Sequence, residues 1–96
     1  MKCQSLEEVR SNIDRIDSEI IKLIAERGNL VKRASGFKKD ENAVKAPNRV
    51  ETVIKNVREK AEFYGASPDM IETLYREMIR QFVQMEMNEF HNNGYQ

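Results

Sequence analysis

Apolar residues recur at alternating steps of three and four over the first third of the chain, which is the spacing that lines one side of a long helix. The run consists of Leu6, Val9, Ile13, Ile16, Ile20, Leu23, Arg27, Leu30, Ala34 and Phe37. Its seventh member, Arg27, is charged. Because burying an unpaired guanidinium is costly, the chain must either supply a carboxylate beside Arg27 or keep that place for an anion.

Three helices fit between the residues that usually begin and end helices. A capping box of Ser5 and Glu8 begins the first, a proline and a glycine bound the second, and a serine–proline pair begins the third. The predicted ranges are residues 5–39, 47–64 and 68–90. We expect the polar segment 40–46 to be a loop. The predicted fold class is therefore all-α, with one domain over residues 1–96.

The length of the first helix predicts an oligomer. At 1.5 Å per residue it spans roughly 50 Å, whereas a compact domain of about 100 residues has a radius of gyration near 13 Å. One chain cannot cover such a helix. We therefore expect an intertwined homodimer in which the two long helices pair around a two-fold axis.

Charge and motif content exclude several classes of function. Sixteen basic and sixteen acidic side chains cancel, which argues against nucleic acid or an anionic membrane as a partner. The single Cys3 and the absence of a signal peptide or long apolar span predict a cytoplasmic protein. No metal-ligand cluster, phosphate loop or Ser/His/Asp arrangement is present in the sequence, so we predict neither a metal nor a cofactor.

Helical geometry brings further basic residues to the face of Arg27. Lys38 lies eleven residues later, within about 20° of the same face and about 16 Å along the axis. Two such side chains leave room for one small polyanion. Arg10 borders the same seam but lies about 42 Å from Lys38. In an antiparallel dimer the partner's Arg10 could reach this site.

The third helix contributes one acidic residue to its apolar face. Glu86 follows Phe82 by four residues, so it should project toward the first helix. Arg49 begins the second helix. With Arg10, Arg27, Lys38 and Arg49, positive charge is in excess, which favours an anionic ligand. The pattern alone leaves a second interpretation open, in which Arg27 pairs with Glu86 merely to fix the helical register.

Four segments resemble the AroQ-class chorismate mutases, which are all-helical dimers. These are VRSNIDRID, IIKLIAERGNLV, ASGFKK and IRQFVQMEM. The resemblance implies conversion of chorismate to prephenate in aromatic amino-acid biosynthesis, without a cofactor. It implies that Arg10 of the partner, Arg27 and Arg49 bind the substrate carboxylates, and that Lys38 and protonated Glu86 donate to the ether oxygen. We expect the pocket to be lined by Ala34, Val50, Phe82 and Val83.

Two departures from the mutase pattern keep alternatives open. Val50 stands where bacterial mutases usually have Glu, and the segment FKKDENAVKAPNRVE resembles the isochorismate-pyruvate lyases, which yield salicylate and pyruvate. Glu86 departs from the Gln of those lyases and resembles the fungal mutases instead. We rank the mutase first and the lyase second. A non-catalytic helical dimer that binds a metabolite is the third hypothesis.

Overall fold

The computed structural model describes residues 5–37 and 39–94, apart from the side chains of residues 90 and 92–94. This part of the chain contains four α-helices and no strand, which confirms the predicted all-α class. The helices are α1 (Leu6–Ser35), α2 (Glu41–Lys45), α3 (Pro47–Tyr64) and α4 (Pro68–Gly94). None of these helices is long and apolar enough to cross a membrane.

The predicted loop at 40–46 is wrong, because most of it forms the short helix α2. The Asp40 carboxylate accepts a hydrogen bond of 2.8 Å from the backbone N–H of Ala43 and so caps the N-terminus of α2. Glu41 in the first turn and Lys45 in the last suit the helix dipole. Val44 is 1% exposed, the lowest value in the described part of the chain. Local capping and one buried side chain therefore outweigh the polar composition of the segment.

Two helix ends also differ from the prediction. The first helix stops at Ser35 rather than near 39, because the N–H groups of Gly36 and Phe37 donate to carbonyl oxygens three residues earlier, at Arg33 and Ala34. Such tight turns commonly end an α-helix. The last helix continues to Gly94, beyond the predicted residue 90 and into a tail that sequence patterning did not assign to a helix.

The predicted bounds of α3 are confirmed. The left-handed Ala46 (φ 40°) precedes Pro47, the first helical residue, and no side chain caps this N-terminus. At the other end Gly65 also adopts a left-handed conformation (φ 79°), and the Ala66 N–H donates to the Ala61 carbonyl at 2.8 Å. This is the arrangement that glycine favours after a helix.

Helix α4 begins at Pro68, with the Ser67 hydroxyl accepting a hydrogen bond from the Met70 N–H. Helices α3 and α4 pack on each other, and α2 packs on α4. The buried apolar residues of α3 are Ile54, Val57 and Ala61, one helical turn apart. This packing forms the core within the second of two compact units, Met1–Leu30 and Val31–Gln96. A single domain over 1–96 stays a prediction.

The first unit contains most of α1, and α1 has no buried residue. Its predicted apolar run is exposed instead: Ile16 and Ile20, for example, are 45% and 47% exposed. The amphipathic pattern is thus real, since the residues lie on one helical face, but nothing in this unit buries that face.

Candidate active site

Glu86 is the one charged side chain that is buried among those the structure describes, with 6% of its surface exposed. It lies on α4, within the second unit. No buried side-chain nitrogen or oxygen in the described residues lacks a hydrogen-bond partner, so the cost of removing this carboxyl group from water is offset. Its burial agrees with the prediction that Glu86 projects from the apolar face of this helix.

Three apolar residues predicted to line the pocket are half-buried in the same unit. Phe82 and Val83 lie on α4 about one turn before Glu86, and Val50 lies in the first turn of α3. Because α3 packs on α4, these side chains belong to two adjoining helices. The fourth predicted residue, Ala34, is exposed near the end of α1.

Arg49 precedes Val50 in the first turn of α3, and its side chain is exposed. The first N–H groups of a helix have no acceptors within the helix, and here no side chain caps them. The positive end of the helix dipole therefore adds to the charge of Arg49. This turn suits an anionic group.

The two arginines predicted on the first helix lie in the other unit. Arg27 is half-buried and has an interaction partner, whereas Arg10 is exposed. Seventeen residues separate them, or about 26 Å along the helix axis, so they cannot bind the same small anion within one chain. Pairing of Arg27 with Glu86 stays a prediction. Lys38 lies outside the described residues.

A network of ion pairs between α3 and α4 was not predicted. The guanidinium of Arg76 donates two hydrogen bonds of 2.9 Å to the carboxylate of Glu51 and one of 2.7 Å to Glu72. Arg58 contacts Glu72 at 2.8 Å and Asp69 at 3.0 Å. Only the Glu72–Arg76 spacing of four residues is visible in the sequence; the other contacts depend on how the two helices pack.

The network shifts the ionisation of its members. Hydrogen bonds from Arg76 hold the pKa of Glu51 and of Glu72 below the usual 4.5. The same bonds, to Glu51 first and then to Glu72, raise the pKa of Arg76. The charged forms therefore stabilise one another, as expected for a bidentate pair.

A further polar contact links α4 to α2. The imidazole Nε2 of His91 lies 3.1 Å from a carboxylate oxygen of Glu41, the first residue of α2. Glu41 follows Lys38 by three residues in the sequence, and His91 follows Glu86 by five. Sequence analysis did not assign a role to either residue.

Comparison with known proteins identifies the family to which this chain belongs. The sequence pattern of the Chorismate mutase type II family matches residues 9–87, a range that includes Arg10, Arg27, Lys38, Arg49 and Glu86. The chain belongs to this family, and the predicted resemblance is confirmed. Membership supports an enzyme with a chorismate-type substrate, acting as a chorismate mutase or as a related lyase.

Three relatives show how the family varies. The isochorismate pyruvate lyase of Pseudomonas aeruginosa is 35% identical over 81 residues, which cover 84% of this chain and 80% of the relative. The bifunctional chorismate mutase/prephenate dehydratase of Aquifex aeolicus is 33% identical over 86% of this chain. The T-protein of Haemophilus influenzae is 34% identical over 81% of it. The chain spans only 24% and 21% of these last two proteins.

Proposed function

We propose that this protein is a chorismate mutase, which rearranges chorismate to prephenate. The observation that carries the proposal is the buried Glu86 carboxyl group on α4, within the segment that matches the Chorismate mutase type II family. In its neutral form, a buried carboxyl group can donate a hydrogen bond to the negative charge that develops in the transition state of the rearrangement.

The reaction is a [3,3] rearrangement within one molecule, so it needs no nucleophile. Its main requirement is to hold the substrate in a compact, chair-like conformation. The guanidinium groups of Arg27, Arg49 and the partner's Arg10 would hold the two carboxylates, since arginine binds carboxylates with paired hydrogen bonds. The exposed Arg49, at the uncapped start of α3, supports this assignment.

Stabilisation of the breaking C–O bond is assigned to Lys38 and Glu86. As the bond lengthens, negative charge develops on the ether oxygen. Lys38 donates to this oxygen as an ammonium group, and Glu86 donates in its protonated form, because an ionised carboxylate can only accept. Removing one such preorganised donor typically lowers the rate by about 10²–10³.

The active form is proposed to be a homodimer. The support is the exposed apolar face of α1, a 30-residue helix without a buried residue. A second copy of α1 would cover this face by isologous packing. Dimerisation would also compensate for the separation of Arg10 from Arg27 along α1, because the partner's Arg10 would then complete the set of basic residues.

The second candidate is an isochorismate-pyruvate lyase. Two observations favour it: Val50 is an apolar, half-buried side chain in the first turn of α3, and the relative from Pseudomonas aeruginosa is similar over most of both chains. The same basic residues would bind isochorismate. A hydride shift to the enolpyruvyl group would then release pyruvate and leave salicylate.

Incubation with each substrate distinguishes the candidates. Purified protein is mixed with chorismate and, separately, with isochorismate, and products are separated by chromatography. Prephenate from chorismate supports the mutase, and salicylate from isochorismate supports the lyase. Turnover of neither substrate would contradict both and favour a non-catalytic dimer.

Variants of Glu86 test the observation that carries the proposal. Glu86→Gln keeps a hydrogen-bond donor and should retain activity at neutral pH, whereas Glu86→Leu should lower kcat by about 10²-fold. Circular dichroism must show that both variants fold. Equal kcat values for the two variants would mean that Glu86 does not donate to the reacting oxygen.

A further inference from the structure

The start of α3 is held by a contact from α4. No side chain caps the N-terminus of α3, and the residue before it is in a left-handed conformation. Glu51, which begins the second turn, instead receives two hydrogen bonds from Arg76, both 2.9 Å long. The contact joins residues 25 positions apart in the sequence. It therefore fixes the first turn of α3 against the neighbouring helix.

The geometry of this contact is unusually defined for a surface pair. Two parallel hydrogen bonds between a planar guanidinium and a planar carboxylate fix orientation as well as distance. Arg76 is itself held by Glu72, one turn earlier on α4, through its Nε at 2.7 Å. Glu72 in turn contacts Arg58 of α3. The charges alternate in sign along this chain of residues, so each member orients the next.

We propose that Arg76 is a positioning residue, which acts through Glu51 to hold Arg49 in place for substrate binding. The inference rests on the proposed function, in which Arg49 binds a substrate carboxylate. Arg49 lies two residues before Glu51, so a shift of the first turn moves its guanidinium. Displacement of a binding group by about 1 Å lowers catalytic efficiency by up to about 10².

The expected effect is on substrate binding rather than on folding. Exposed ion pairs usually contribute little to stability, and both members of this pair are partly exposed, at 42% for Arg76 and 66% for Glu51. If Arg49 loses its orientation, it binds the substrate less tightly in the ground state and in the transition state alike. Such a loss raises KM while kcat changes less.

The test compares Arg76→Gln with Arg80→Gln. Arg80 is the matched control because it lies one turn later on α4 and pairs with Glu77 of its own helix. We expect Arg76→Gln to raise KM by about tenfold and Arg80→Gln to leave KM unchanged. Glu51→Gln should reproduce the effect, and Arg76→Gln with Glu51→Gln should be no worse than either alone.

An epistasis test separates positioning from a general structural role. The Arg49→Lys substitution weakens the binding group itself. In this background Arg76→Gln should raise KM by much less than tenfold, because a weaker binding group at position 49 gains less from being held in place. A merely structural contribution would instead multiply the two effects. Full multiplication, or an equal rise in KM for Arg80→Gln, would overturn the proposal.

Hydrogen exchange provides a readout that does not depend on turnover. Arg76→Gln should speed backbone exchange in residues 50–52, while Arg80→Gln should not. If the wild type converts neither substrate, the proposed function fails, and this measurement still decides whether Arg76 orders the start of α3. Unchanged exchange there would overturn the inference on its own.

Discussion

Helix α1 and the pair α3–α4 have the same kind of amphipathic pattern but different surroundings. The apolar residues of α3 meet α4, its neighbour along the chain, and three of them are buried. Most apolar residues of α1 are exposed, and none is buried. A periodic apolar face thus predicts that a helix packs against another element, whereas the identity of that element depends on the rest of the fold. For α1 we propose a second chain.

Substitution of one isoleucine in each region should give the largest change in the free energy of unfolding. Ile54→Ala, at a site 4% exposed on α3, should lower the free energy of unfolding by about 2–5 kcal/mol. Ile16→Ala on α1 should also destabilise the protein, although Ile16 is exposed in the single chain. Only the second loss should shrink on dilution, because a dimer contact no longer contributes to stability once the two chains separate. Chemical denaturation at two concentrations checks this.

The same experiment can refute the proposed dimer. If Ile16→Ala is neutral at every concentration, the α1 face is not an interface. Asp17→Ala, on the neighbouring polar face of α1, serves as the control and should be neutral in either case.

Mixing two inactive variants tests whether α1 brings a residue to another chain's site. Arg10→Ala and Lys38→Met should each lower kcat/KM by about 10²–10³. A mixture of the two should regain part of the activity, because each heterodimer keeps one complete site. Lys39→Met is the control for Lys38, since it removes the same charge from the neighbouring residue. No rescue on mixing would mean that Arg10 acts within its own chain.

Acid should weaken the α3–α4 pair through its ion pairs. The pKa of Glu51 and Glu72 lies below 4.5 in the folded protein, owing to Arg76, and Arg80 lowers the pKa of Glu77 to about 2. Carboxylates with lowered pKa stabilise the fold above their unfolded value and lose this contribution as pH falls through the folded value. The free energy of unfolding should therefore decrease from about pH 5 toward pH 2.

Replacing one carboxylate measures its share of that decrease. Glu51→Gln has no proton to gain, so its stability should depend less steeply on pH over the same range. The measurement is urea denaturation at several pH values. A slope identical to that of the wild type would show that the contact with Arg76 does not lower the pKa of Glu51.

Sequence reasoning succeeded where the signal was local. Pro47 and Gly65 mark the ends of α3 because their backbone preferences act at single residues. The burial of Glu86 followed from its spacing to Phe82 on one helix face. The short helix α2 was missed because its composition is polar, and the Asp40 cap outweighs that composition.

Long-range contacts could not be predicted in the same way. The bonds from Arg76 to Glu51 depend on how α3 and α4 pack, and periodicity fixes only which faces meet. The site roles of Arg10, Arg27, Lys38 and Arg49 came from helix geometry and resemblance, and they stay predictions. Whether they assemble into one site is not specified by the pattern of any single helix.

The short connection between α3 and α4 also affects the rate of folding. Only residues 65–67 separate the two helices, so closing this hairpin costs little loop entropy, and local contacts favour rapid folding. The exposed apolar face of α1 would become buried only when a second chain binds. Under the proposed assembly, refolding should show a fast phase that is independent of protein concentration, followed by a bimolecular phase. Catalytic activity should return with the bimolecular phase.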